Sequence, residues 1–81
     1  MNPRQHLAGA LVKMGEGDLE GAEAEFFEAR DAAIRIDPGG PREAEVHSYL
    51  ALFYTQQGQL EKASIHEEAA AQIFKKHGET T

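Results

Sequence analysis

The apolar residues of this chain recur at helical spacing, three and four positions apart, and nowhere alternate as a strand would. Asn2-Pro3 opens a first helix, because Asn caps with its side-chain oxygen and Pro is accepted at the first helical position. Leu7, Ala8, Ala10, Leu11, Val12 and Met14 give it a broad apolar face, and Gly15 and Gly17 end it. Asp18 caps a second helix running from about Leu19 to Ile36. Its main stripe is Leu19, Ala22, Phe26, Ala29 and Ala33, with a second stripe of Phe27 and Ile34. Asp37-Pro38-Gly39-Gly40-Pro41 is the strongest breaker in the chain, and Pro41 opens a third helix with the stripe Val46, Tyr49, Leu50, Phe53 and Tyr54. Gly58 breaks that helix. A fourth runs from about Leu60 to Lys76 on the stripe Leu60, Ala63, Ala70 and Phe74, with Lys75, Lys76 and His77 suiting its C-terminal end. Gly78 is expected just past the end, and Glu79 to Thr81 are expected to fray.

The second half of this pattern repeats the first. GDLEGAEAEFFEARDAAI, from Gly17, matches GQLEKASIHEEAAAQIFK, from Gly58. A helical hairpin buries its apolar face poorly alone, and stacking it on a copy of itself solves that problem. The expectation is an all-α fold of four antiparallel helices: one domain, 1–81, made of two hairpins, 3–38 and 41–78.

In the second half Leu50-Ala51, Tyr54, Gly58, Leu60, Ala63 and Ala70 stand in the order of an apolar-small pair, an aromatic, a turn glycine, an apolar residue and two alanines. The first half gives Gly17, Leu19, Ala22, Phe26 and Ala29. With these residues the chain resembles the tetratricopeptide repeat family, over roughly residues 4 to 77. The first helix fits the pattern when one extra residue is placed in the turn between Val12 and Gly17, which puts Ala8-Gly9 at the pair and Val12 at the aromatic. That longer period looks like the kinesin light chain type. The resemblance implies a protein-interaction module that holds a peptide or protein segment on the concave face of the first helix of each hairpin. Carried over position by position, the groove is His6, Ala10 and Lys13, with Glu45, Ser48, Leu52 and Thr55 and Gln56 at the edge. A family subtype clamps a C-terminal carboxylate with Lys and Asn. Here the matching positions hold His6, Ala10 and Tyr49, which argues against that ligand.

Two further features concern self-association. Phe26, Phe27 and Ile34 of the first half become Glu67, Glu68 and Lys75 in the second, so the outer face of the last helix is expected to be polar, as at the end of a solenoid. Ile65, Ala69 and Ile73 recur away from the main stripe of the fourth helix, either buried on a second side or meeting another chain. The alternative reading of the chain is therefore a scaffold protein whose main contact is a homodimer interface.

Composition narrows the function classes. The chain has 81 residues and a net charge of −6, with its few Lys and Arg scattered, which disfavours nucleic acid and acidic membranes. No apolar run spans a bilayer, and the absence of cysteine removes disulfides and thiolate chemistry and fits a cytoplasmic setting. Every charged residue between Lys13 and Arg30 is acidic: Glu16, Asp18, Glu20, Glu23, Glu25 and Glu28. They read as a solvated face, or as a docking face for a basic segment. His66-Glu67-Glu68 starts like a zinc motif, but position 70 is Ala, and none of His6, His47, His66 and His77 pair at i, i+4 spacing. Gly15, Gly17 and Gly21 lack the preceding strand of a phosphate loop. No catalytic, metal or cofactor constellation is expected, and the chain reads as a non-enzyme.

Overall fold

A computed structural model describes residues 2 to 79. Four helices follow one another: α1, Pro3–Gly15; α2, Leu19–Ile36; α3, Pro41–Gln56; and α4, Leu60–Glu79. Each packs on the next, and α1 also touches α3. The fold is all-α, of short helical-hairpin, solenoid-like form. No helix among the described residues is long and apolar enough to cross a membrane.

Local chemistry sets the helix ends. The Asn2 side chain accepts the Gln5 N–H at 3.0 Å, and the Gln5 side chain accepts the Asn2 N–H at 3.3 Å, a reciprocal capping box. Asp18 caps α2 by accepting the Gly21 N–H at 3.0 Å. Between α2 and α3 the Gly40 N–H reaches the Asp37 carbonyl at 3.0 Å, and Gly39 supplies the positive φ of 72° that a Pro-Gly turn of this kind requires.

The turns inside the two hairpins are the same structure. The Gly17 N–H donates to the Met14 carbonyl at 3.0 Å and the Asp18 N–H to Lys13 at 2.9 Å. The Gly58 N–H donates to Thr55 at 3.0 Å and the Gln59 N–H to Tyr54 at 2.9 Å. Both glycines hold a left-handed φ, 81° and 74°, and both turns are Schellman closures. The first turn thus holds no extra residue, contrary to the register set by the resemblance. Lys13 matches Tyr54, Ala10 matches Ala51 and His6 matches His47. The pattern misled because the first hairpin has Gly9 and Lys13 where the second has Leu50 and Tyr54, and sliding by one residue found better-looking side chains.

The core joins both hairpins. Ala10, Phe26, Ala29 and Ala33 of the first are buried with Val46, Leu50, Phe53 and Tyr54 of the second. The Phe26 ring lies 5.3 Å from Phe53 and 6.4 Å from Tyr49, so α3 seats on α2 through aromatic contact. Alanines at the surrounding positions let the helices approach closely. The Tyr54 hydroxyl donates to the Glu23 carboxylate at 2.6 Å. Burial, and next the hydrogen bond and charge of Glu23, push this phenol well above its ordinary value, so it stays a donor.

Several residues of the expected apolar faces are exposed, Leu11, Val12 and Ile34 among them. Leu19 and Leu60 are exposed, because each is the first residue of its helix and projects beyond the packed part of its hairpin. Phe74 is exposed as well. Finally, α4 runs on past Lys76, so Gly78 lies within it and Glu79 is helical, while Thr80 and Thr81 lie outside the described residues. His77 contacts the Gly39 carbonyl at 3.2 Å, which ties this last stretch to the inter-hairpin turn.

Candidate functional site

A recessed, mainly apolar surface lies between α3 and α4. Two adjoining depressions of about 470 and 430 Å³ share Ser48, Leu52 and Phe74. Ala51, Thr55, Glu67, Ala70 and Ala71 line the first, and Pro41, Glu45 and Tyr49 the second. Leu52 and Phe74 are 53% and 55% exposed, although both are large and apolar. Helical spacing explains the arrangement. Glu45, Ser48, Leu52 and Thr55 fall on one side of α3, while Glu67, Ala70, Ala71 and Phe74 fall on the facing side of α4.

Of the residues assigned to a groove from sequence, Glu45, Ser48, Leu52 and Thr55 line these depressions, and Gln56 is exposed on the last turn of α3. The residues of α1 do not join them. Ala10 is fully buried, at 0% exposure, and cannot line a surface. His6 is half-buried, with Nδ1 3.2 Å from the Glu25 carboxylate, and Lys13 sits at the turn-closing position matched by Tyr54. The cause is the one-residue shift described above. In the corrected register, Glu45, Ser48, Leu52 and Thr55 correspond to Arg4, Leu7, Leu11 and Met14. Leu11 is exposed just as Leu52 is.

Sequence reasoning missed Phe74 and Ala71. Phe74 sat on the stripe assigned to the core, and among the described residues no helix covers that side, so it is exposed. The expectation of a polar last face holds for Glu67, Glu68 and Lys75, all exposed, while Phe74 of the core stripe is exposed beside them. On the other side of α4, Ile65 is exposed, while Ala69 and Ile73 are half-buried. Ile73 borders a separate depression with Gly39, Gln72, Lys75 and Lys76.

The polar cluster of the molecule lies inside the second hairpin. His47, nearly buried, has Nε2 3.1 Å from Glu43 Oε2 and Nδ1 2.9 Å from Nδ1 of His66. Glu43 also accepts the Gly39 N–H at 2.8 Å. A neutral His47 that donates Nε2–H to Glu43 keeps only a lone pair on Nδ1, so the His66 Nδ1–H donates to it. Burial alone would push the Glu43 carboxyl up. The Gly39 N–H, then His47, and at longer range Arg30 outweigh it and hold the group below 4.5. His66 is held below 6.5 by burial first, then by the repulsion its own proton would meet from a proton on His47 and from Arg30. Its ring is stacked on Tyr54 and lies 6.4 Å from Phe27, over which the Arg30 guanidinium sits at 4.7 Å. In the first hairpin the same two positions hold His6 and Glu25. The cluster is thus the second hairpin's version of an internal link between its helices. Among the described residues no three His, Asp or Glu side chains come together as a metal site.

Compared with known protein families, curated proteins and solved structures, the chain finds no match in any.

Proposed function

We propose that this chain is a non-enzymatic protein-interaction module of the tetratricopeptide type, holding a peptide or protein segment against the exposed side of α3. One observation carries the reading. Leu52 and Phe74 stand together in a recessed, mainly apolar surface, where the remainder of the lining is Ala, Ser, Thr and Glu. Recessed apolar surface of this kind marks contacts, and it suits an amphipathic segment laid along a groove. The site differs from the concave surface expected from the resemblance in using α4 in place of α1. The absence of cysteine suits a cytoplasmic setting.

The test is fluorescence anisotropy with a labelled 18-residue amphipathic Leu/Lys helical peptide. Saturable binding weakened at least about tenfold by Leu52→Glu, roughly 1.4 kcal/mol, is expected. Equal affinity for both chains, or none for either, removes the groove from consideration.

The second reading, self-association, rests on Ile65, which is 64% exposed on the opposite side of α4 with Ala69 and Ile73 beside it. Sedimentation over a wide concentration range, on the wild type and on Ile65→Glu, decides it. A concentration-dependent dimer lost in the variant supports a homodimer through this stripe, and a monomer throughout ends it.

A further inference from the structure

The molecule contains its own example of how such a face is covered. In the first hairpin the positions equivalent to Ser48, Ala51, Glu67, Ala70 and Phe74 are Leu7, Ala10, Phe26, Ala29 and Ala33, and all five are buried in the core against α3. The same face is therefore closed in the first hairpin, whereas in the second Ser48, Glu67 and Phe74 stand exposed around a floor of buried Ala51 and Ala70. The helix that closes the first presents Tyr49 and Phe53 to Phe26.

We infer that the open face of the second hairpin receives a helix of a partner protein, lying as α3 lies on the first hairpin and carrying Lys or Arg where α3 carries Phe53. This rests on the interaction-module reading above and names the partner's chemistry. Glu67 stands in the place of Phe26, so an aromatic at the contact would bury the carboxylate without a partner, whereas a cation satisfies it. Glu45 at the rim of the same surface adds a second negative charge. Phe74 stands in the place of Ala33, so the incoming helix needs a small side chain there, and Leu52 supplies apolar contact alongside.

A second copy of this chain is a poor occupant. Its α1 would take α3's part, and the residues at the positions of Tyr49, Leu50 and Phe53 are Ala8, Gly9 and Val12. These are too small to fill the space, and they set Ala8 and Val12 against the Glu67 carboxylate.

The test uses the full chain and two synthetic peptides with the α3 sequence, residues 41–56, one unchanged and one carrying Phe53→Lys. Binding is measured by anisotropy at low and high salt. The lysine peptide is expected to bind the wild type at least about tenfold more tightly than the unchanged one. The preference disappears in Glu67→Gln, and its order reverses in Glu67→Phe, which restores the first hairpin's ring. Equal affinities on the wild type, or a preference that survives Glu67→Gln, overturn the inference. If neither peptide binds while the Leu/Lys peptide still binds at Leu52, the inference fails and the interaction-module reading stands. Head-to-tail oligomers abolished by Val12→Glu would give the face to a second copy and overturn it too.

Discussion

The two hairpins share a turn geometry, a helix order and a pair of linked positions between their helices, yet they present opposite surfaces on the same side. The first carries Phe26 under the rings of Tyr49 and Phe53. The second carries Glu67 in the open, between Leu52 and Phe74. Repetition of a backbone unit does not repeat its environment. A solenoid-like stack always has one face that is covered by the next unit and one that is not. Side chains at matched positions therefore meet unlike surroundings: Phe26 is buried in the core and Glu67 is exposed.

Substitution at that matched pair should break the symmetry most sharply. Phe26→Ala removes a buried ring where the hairpins' cores meet, and a loss of about 3–5 kcal/mol is expected in urea unfolding. Glu67→Ala, at the same place in the second hairpin, should change stability by no more than about 0.5 kcal/mol. Comparable losses at both positions would mean that the second face is covered in the free protein.

The turns should behave in the opposite way, as equals. Gly17 and Gly58 hold the same left-handed conformation, which costs a residue with a Cβ about 1–2 kcal/mol. Added Cβ atoms meet nothing nearby at either glycine, so Gly17→Ala and Gly58→Ala should each show this backbone cost alone. Thermal unfolding of the two variants then gives matching shifts. A clear inequality would show that the two closures differ in strain.

The smallest and most conditional difference lies in the linked pairs, His6 with Glu25 and His47 with His66. His66 has a folded value held below 6.5, so the unfolded chain binds its proton more readily. The stability it contributes is complete above pH 6.5 and is lost as pH falls from there toward its folded value. Glu43, held below 4.5, contributes stability that is present above that value and lost at lower pH, as the medium passes through its folded value. Stability measured by urea unfolding should therefore fall on acidification in two stages. The groups facing His66 are His47 from α3 and Arg30 from α2, with Tyr54 and Phe27 as ring neighbours and Glu43 bonded to the far side of His47. His66→Glu copies the first hairpin's pairing and should abolish the stage that begins near pH 6.5. An unchanged profile in that variant would assign the loss to other groups.

Much of the fold was legible because its signals are local. Asn2-Pro3, Asp18, Gly17, Gly58 and the Asp37–Pro41 breaker each act within a few residues, through caps, positive φ or a missing N–H. They set the helix limits wherever the chain goes afterwards. The spacing of Phe26, Ala29 and Ala33 likewise makes one face of α2 apolar before any neighbour arrives.

What local signals leave open is which apolar face receives a neighbour, and that depends on where the last helix stops meeting other helices. The stripe Ala63, Ala70 and Phe74 reads as continuous in sequence, yet Ala63 is buried and Phe74 lies in the groove, because α3 covers only part of α4. Register between the hairpins was equally undecided. Gly9 and Lys13 are poor matches for Leu50 and Tyr54, and only the identical hydrogen bonds of the two turns align them. His47 and His66 meet for the same reason, being distant in the chain and brought within 2.9 Å by the packing of α3 on α4. The chain's own residues determine four helices and their ends, because capping and backbone freedom are short-range. Tertiary packing alone decides that one hairpin's face is filled and the other's is left open, because burial depends on what lies across the interface.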